Sequence, residues 1–216
     1  MSKPRRRVTR MAELRLLALG DSYTVGEGVA PSAAWPAQLV ARLREHGHDC
    51  AAPTVLARTG WTTDELLAAL ATATLAPPYD LVTLQIGVND QYRGRDMEAF
   101  VRGFDALLAQ ALRLADARAT RVLGVSIPDW SVTPFARQDA RAPQAIATTI
   151  DQFNARARAC ALRVGAGWVD ITSASRRAGQ APEQLCADSL HPGPAQYAHW
   201  VATALLPAAR EQLPAP

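Results

Sequence analysis

Five apolar runs of strand length recur along the chain, each separated from the next by a longer stretch of helical pattern. This alternation constrains the fold more than any other feature. The runs are Arg15–Leu19, Thr54–Ala57, Leu81–Ile86, Arg121–Ile127 and Trp168–Ile171. All are predominantly apolar, as expected of strands covered on both faces. The intervening helices are expected at Ala33–Glu45, Thr63–Ala73, Asp96–Ala115 and Ala140–Val164, with a last one from about Pro194 to Ala209. Ala34, Ala37, Leu39, Val40 and Leu43 carry helical spacing, as do Phe100, Phe104, Leu107, Leu108 and Ala111. Thr62 or Thr63 is suited to cap the helix that contains Asp64 and Glu65.

Repeated βα units with short links imply a parallel sheet with helices on both faces. Right-handed crossovers then favour a doubly wound sheet, whose sites lie at the carboxyl ends of the strands. The segments to inspect are therefore Gly20-Asp21-Ser22, Arg58-Thr59-Gly60-Trp61, Gly87-Val88-Asn89-Asp90 and Pro128-Asp129-Trp130.

Composition narrows the chemistry those segments can perform. A chain of 216 residues, 49% hydrophobic, suits one compact domain, expected over 11–216. Residues 1–10 hold Lys3, Arg5, Arg6, Arg7 and Arg10 and no acid, and read as a disordered basic tail. Taking those five cations from the net charge of +3 leaves −2 for the remainder, so nucleic acid is not an expected partner. No apolar stretch reaches the roughly 20 residues a spanning helix needs, so no stable membrane insertion is expected. Glu13 and Arg15 interrupt the apolar segment that follows the basic start. That segment reads as a strand rather than a leader, and a cytoplasmic protein is expected. Cys50, Cys160 and Cys186 are widely spaced and odd in number, which fits a reducing compartment.

Lys3 is the only lysine. The body therefore has no P-loop or Schiff-base lysine, and neither GxxxxGK[ST] nor an opening GxGxxG occurs. The glycines around Gly20-Asp21-Ser22 could cradle a phosphate or could present Ser22 as a nucleophile, and these absences weaken the first reading. A serine needs a base, and with no body lysine that base is a histidine. His46 and His48 fall at an expected helix end, where imidazolium suits the dipole. A metal site from His46, His48 and Cys50 is conceivable but has no convincing ligand spacing, so no metal is expected. His199 falls within the last helix.

His191 differs, because it lies between the last strand and the last helix, in a corner stiffened by Pro192 and Pro194. Asp188, three residues earlier, can reach the imidazole Nδ1 in a turn and leave Nε2 to take a proton from a serine. Asn89 has a carboxamide able to donate toward a developing oxyanion, and Gly60 lets a backbone N–H approach a substrate closely. Asp21 is assigned a structural hydrogen-bonding role instead of the acid's, since neighbouring side chains on a strand edge point oppositely.

In this order the motifs resemble the SGNH (GDSL) hydrolase superfamily, from about Leu14 to Ala208. Gly20-Asp21-Ser22-Tyr23-Thr24 matches its first block, Gly60 its second, Gly87-Val88-Asn89-Asp90 its third and Asp188-Ser189-Leu190-His191-Pro192 its last. The resemblance implies a three-layer α/β/α sandwich with a five-stranded parallel sheet in the order 2-1-3-4-5, as in flavodoxin-like folds, and no metal or cofactor. It implies Ser22 as nucleophile, His191 as base and Asp188 as its orienting acid. The implied oxyanion hole joins the Ser22 and Gly60 N–H groups to the Asn89 side chain. The chain departs from the pattern at Gln196, where a glycine is common, and at Tyr23, expected to add a polar wall.

The expected activity is that of a serine esterase or acyl-hydrolase acting through an acyl-enzyme on a small-molecule ester, lysophospholipids and acyl thioesters included. Trp61, Tyr92, Trp130 and Phe135, on loops after strands, are expected to line the acyl pocket. A carbohydrate O-acetyl esterase is the alternative within the enzymes, and a flavodoxin-like ligand-binding protein without turnover the alternative outside them. Oligomeric state is left open.

Overall fold

The computed structural model describes residues 13–178 and 181–216. The expected basic tail at 1–10 and the reading of the amino-terminal start lie outside the described residues. Five parallel strands form one sheet in the order β2-β1-β3-β4-β5. They are β1 (Leu16–Gly20), β2 (Thr54–Ala57), β3 (Leu81–Gln85), β4 (Val122–Val125) and β5 (Gly167–Val169). Every residue of β1, β3 and β4 is buried, whereas the edge strands β2 and β5 are partly exposed. The register sets Gly20 of β1 beside Ala57 of β2 and Gln85 of β3, so the first three strand ends finish level with one another.

Helices flank this sheet as a three-layer α/β/α sandwich. They are α1 (Ser22–Val25), α2 (Trp35–Glu45), α3 (Thr63–Thr72), α4 (Val88–Tyr92), α5 (Met97–Leu114), α6 (Pro143–Arg163), α7 (Thr172–Ala178), α8 (Pro194–Trp200) and α9 (Leu206–Gln212). The helices α3, α5 and α6 pack in succession, while α2 packs with α8 and α9. The spacing read in α5 holds, since Phe100, Phe104, Leu107, Leu108 and Ala111 are all buried. Its start is capped by Asp96, whose Oδ1 accepts the Ala99 N–H at 2.9 Å, a bond worth about 1 kcal/mol. Thr62 rather than Thr63 is the N-cap of α3, and its N–H donates to Glu65 Oε2 at 2.9 Å. Between α8 and α9 one π turn spans Val201–Leu205, so the expected last helix is continuous but unevenly wound. No described helix is long and apolar enough to cross a membrane.

Candidate active site

The nucleophile turn is built by close packing at Gly20. A Cβ there would collide with the Thr24 side chain and lie 2.5 Å from the Gln85 carbonyl oxygen, so no larger residue fits. Asp21 ends the strand and caps α1, accepting the Tyr23 N–H through Oδ1 at 3.0 Å. Ser22 is thus the first residue of α1, delivered to the carboxyl end of β1. Gln85 fixes the turn from β3, its Oε1 accepting from Thr24 Oγ1 at 3.2 Å and from Trp35 Nε1 at 3.0 Å.

A turn from the other end of the chain brings His191 to this serine. Asp188 Oδ1 accepts the N–H groups of Leu190 and His191 at 2.9 and 3.0 Å. Ser189 takes a positive φ of 60°, and Leu185 pairs with Pro192 in an isolated antiparallel bridge. The Cys186 N–H donates to the His191 carbonyl at 2.8 Å, closing the turn. The side chains then form a continuous chain of contacts. Asp188 Oδ2 lies 2.6 Å from His191 Nδ1, and His191 Nε2 lies 2.9 Å from Ser22 Oγ. Partial burial alone would raise the Asp188 carboxyl, but the His191 ring and the two N–H bonds outweigh it and hold the group below its ordinary range. An acid that stays ionised can fix the imidazole tautomer whose Nε2 accepts a proton.

Asn89 and Gly60 face the same space. Asn89 lies on α4, one residue before Asp90, whose buried carboxylate accepts the Thr63 N–H at 3.0 Å and the Thr63 hydroxyl at 2.8 Å. Those bonds tie α4 to the start of α3. Asn89 Nδ2 donates to the Trp61 carbonyl at 2.9 Å, leaving the second amide hydrogen free to point elsewhere. Gly60 has a φ of 85°, a left-handed conformation that disfavours a side chain, and its carbonyl accepts from Arg93 Nη2 at 2.6 Å. Among the described residues, neither the Ser22 N–H nor the Gly60 N–H has an acceptor.

A cavity of about 190 Å³ adjoins Ser22, Gly60, Asn89 and His191. Its walls include Tyr92, Trp130 and Phe135, as the sequence led one to expect, together with Tyr23, Thr59, Val88 and Leu190. Trp61 does not line it. That tryptophan packs partly buried against the hydrophobic core, and the part it turns to the site is its carbonyl. Tyr23 is buried, with its ring centroid 5.0 Å from that of His191, and burial pushes its phenol well above the ordinary range. Leu190 had a legible signal, being the apolar residue inside the Asp188–His191 turn. Arg93, which grips the Gly60 carbonyl, had none. At Gln196 the departure from the expected glycine is absorbed by burial, with Nε2 donating to the Gln184 carbonyl at 3.4 Å.

The remaining histidines stay apart from this constellation. His46 is the C-cap of α2, with Nδ1 2.8 Å from the Arg42 carbonyl, and His199 is an exposed residue of α8. His48 is buried, and desolvation followed by the charges of Arg210 and His46 lowers its pKa. Among the described residues no group of three or more His, Cys, Asp or Glu side chains is arranged to hold a metal ion.

A doubly wound sheet with a serine, an imidazole and an ionised carboxylate in hydrogen-bonded sequence at its carboxyl edge defines a serine hydrolase. Comparison with known proteins makes the class specific. The family model described as GDSL-like Lipase/Acylhydrolase family matches residues 18–199, and the chain belongs to that family. Its activity is that of a serine esterase or acyl-hydrolase.

Solved structures share the fold at low identity. The crystal structure of TesA is 22% identical with a TM-score of 0.73, covering 92% of this chain and 99% of that one. A lipase/acylhydrolase from Enterococcus faecalis is 19% identical with a TM-score of 0.74, covering 94% and 98%. Axe2, an acetylxylan esterase from Geobacillus stearothermophilus, is 20% identical with a TM-score of 0.67, covering 94% and 97%. No match was found among curated protein sequences.

Proposed function

We propose that residues 11–216 act as one catalytic domain in which Ser22 is the nucleophile, His191 the general base and Asp188 its orienting acid. The observation that carries this reading is the unbroken contact chain from Asp188 Oδ2 through the His191 ring to Ser22 Oγ. Ser22 Oγ attacks the ester carbonyl carbon while its proton passes to His191 Nε2. The carbonyl oxygen, now negative, receives hydrogen bonds from the Ser22 and Gly60 N–H groups and the Asn89 carboxamide. The carbon–oxygen bond to the alcohol breaks, and the departing oxygen takes the proton back from Nε2. Water then attacks the acyl-enzyme, giving its proton to Nε2, and collapse releases the acid and restores the Ser22 hydroxyl.

The substrate favoured by the cavity is an ester or thioester of a short acyl group. Its volume of about 190 Å³ is below the range of about 300–1,000 Å³ usual for drug-sized ligands. A short acyl group suits this space better than the long chain of a lysophospholipid does. Free thiols at Cys50, Cys160 and Cys186 suit a reducing cytoplasmic setting. A fluorophosphonate probe tests the nucleophile. It should label the wild-type protein on the peptide containing Ser22 and fail to label Ser22→Ala, and labelling of another serine at equal rate would overturn the assignment.

A further inference from the structure

We infer that Arg141 sets the length of acyl group the cavity accepts, by bracing the aromatic wall that separates it from an open cleft alongside. This inference rests on the reading that the cavity beside Ser22 receives the acyl group. Tyr92 and Phe135 belong both to the cavity of about 190 Å³ and to a neighbouring cleft of about 670 Å³ that reaches Arg141 and Asp139. They are therefore the partition between the two spaces. Tyr92 packs edge-on against Trp130 with centroids 5.4 Å apart, and Phe135 lies 6.4 Å from Tyr92 and 6.2 Å from Trp130. Tyr92 is 44% exposed, so its neighbours in the wall cover only part of it.

Arg141 supplies the missing support. Its guanidinium carbon lies 5.6 Å from the Tyr92 ring centroid and 5.3 Å from that of Trp130, so one cation spans both rings. The guanidinium is itself locked. Nε donates to Asp139 Oδ1 at 2.9 Å, Nη2 to Asp139 Oδ2 at 2.9 Å, and Nη1 to the Gln91 carbonyl at 3.5 Å. Gln91 also accepts from Trp130 Nε1 at 2.9 Å, so the brace and the wall are anchored to the same residue. With both oxygens of Asp139 engaged and its carboxyl held down to about 2 by that grip, Arg141 has its counter-charge already. A substrate anion would have to displace Asp139, which makes bracing the better account of this arginine than ligand binding.

Removing the brace should let Tyr92 swing and join the cavity to the cleft. The experiment compares kcat/KM for p-nitrophenyl octanoate and p-nitrophenyl acetate in wild type, Arg141→Ala, Arg141→Lys and Asp139→Asn, each checked for folding by thermal melting. The octanoate-to-acetate ratio should rise about tenfold in Arg141→Ala, on the scale that pocket contacts with methylenes supply. It should rise in the same direction in Asp139→Asn, which releases Arg141 without deleting it. Arg141→Lys keeps a cation but loses the two-point grip, and should fall between. A ratio within about twofold of wild type in both Arg141→Ala and Asp139→Asn would overturn the inference, including the case where all esters slow equally. If Ser22→Ala abolishes hydrolysis while the ratio stays fixed, only the role of Arg141 is lost. If Ser22→Ala stays active, the site assignment itself fails.

Discussion

His191 and Asp188 are three residues apart in the chain and 2.6 Å apart through Nδ1 and Oδ2, and the same carboxylate also holds the backbone of the turn that carries the imidazole. Orientation of the base and folding of its turn are therefore one task. His191→Ala should abolish turnover, while His46→Ala, His48→Ala and His199→Ala should each keep most of it. Asp188→Asn should cost no more than about 10⁴-fold in kcat, since an imidazole remains. Ester hydrolysis by the four alanine variants, with folding followed by circular dichroism, checks this. A dead His46, His48 or His199 variant beside an active His191→Ala would contradict it.

Asp21 gives the fold a pH dependence of its own. Its carboxyl is buried, Oδ2 has no partner among the described residues, and desolvation raises it to about 8 despite the Tyr23 N–H bond. An unfolded aspartate loses its proton near pH 4, at about 3.9. Between these values the folded state holds a proton that the unfolded state has lost, so stability present at low pH is lost as pH rises toward 8. Asp21→Asn keeps an oxygen for the Tyr23 N–H and cannot ionise. Its melting temperature relative to wild type should therefore increase from pH 5 to pH 8, by at least about 3 °C on the scale of a domain this size. A difference that does not change with pH would refute this account of Asp21.

The sheet was legible because its strands are apolar runs bounded by glycine, proline and helical periodicity. Thr54–Ala57 was placed to the residue, and the other strands to within a residue or two at each end. The short helices α1, α4 and α7 were not legible, since one or two turns cannot express a helical period. The motifs of Ser22, Gly60 and Asn89 lay just after strands and that of His191 just before α8, and Tyr92, Trp130 and Phe135 of the wall were named too, but the support behind that wall was not legible. Trp61 looked like a pocket residue because it follows a strand, yet its ring turned to the core. Arg141 reaches Tyr92 across a separation that no local pattern reports.

Asn89 should matter to the transition state more than to binding. Its carboxamide is oriented by the Trp61 carbonyl at 2.9 Å, so little reorganisation is needed as charge develops on the substrate. Asn89→Ala should lower kcat by roughly 10²–10³ with a smaller change in KM. Steady-state kinetics on a p-nitrophenyl ester would show it, and an unchanged kcat would remove Asn89 from the oxyanion hole.

The central claim is that Ser22, 2.9 Å from His191 Nε2, forms the acyl-enzyme. The most direct measurement is the rate of p-nitrophenyl acetate hydrolysis by purified Ser22→Ala whose circular dichroism matches wild type. The expected result is a loss of order 10⁶ in kcat, since the serine and histidine act as a unit. A folded Ser22→Ala protein that hydrolyses the ester within tenfold of the wild-type rate would contradict it.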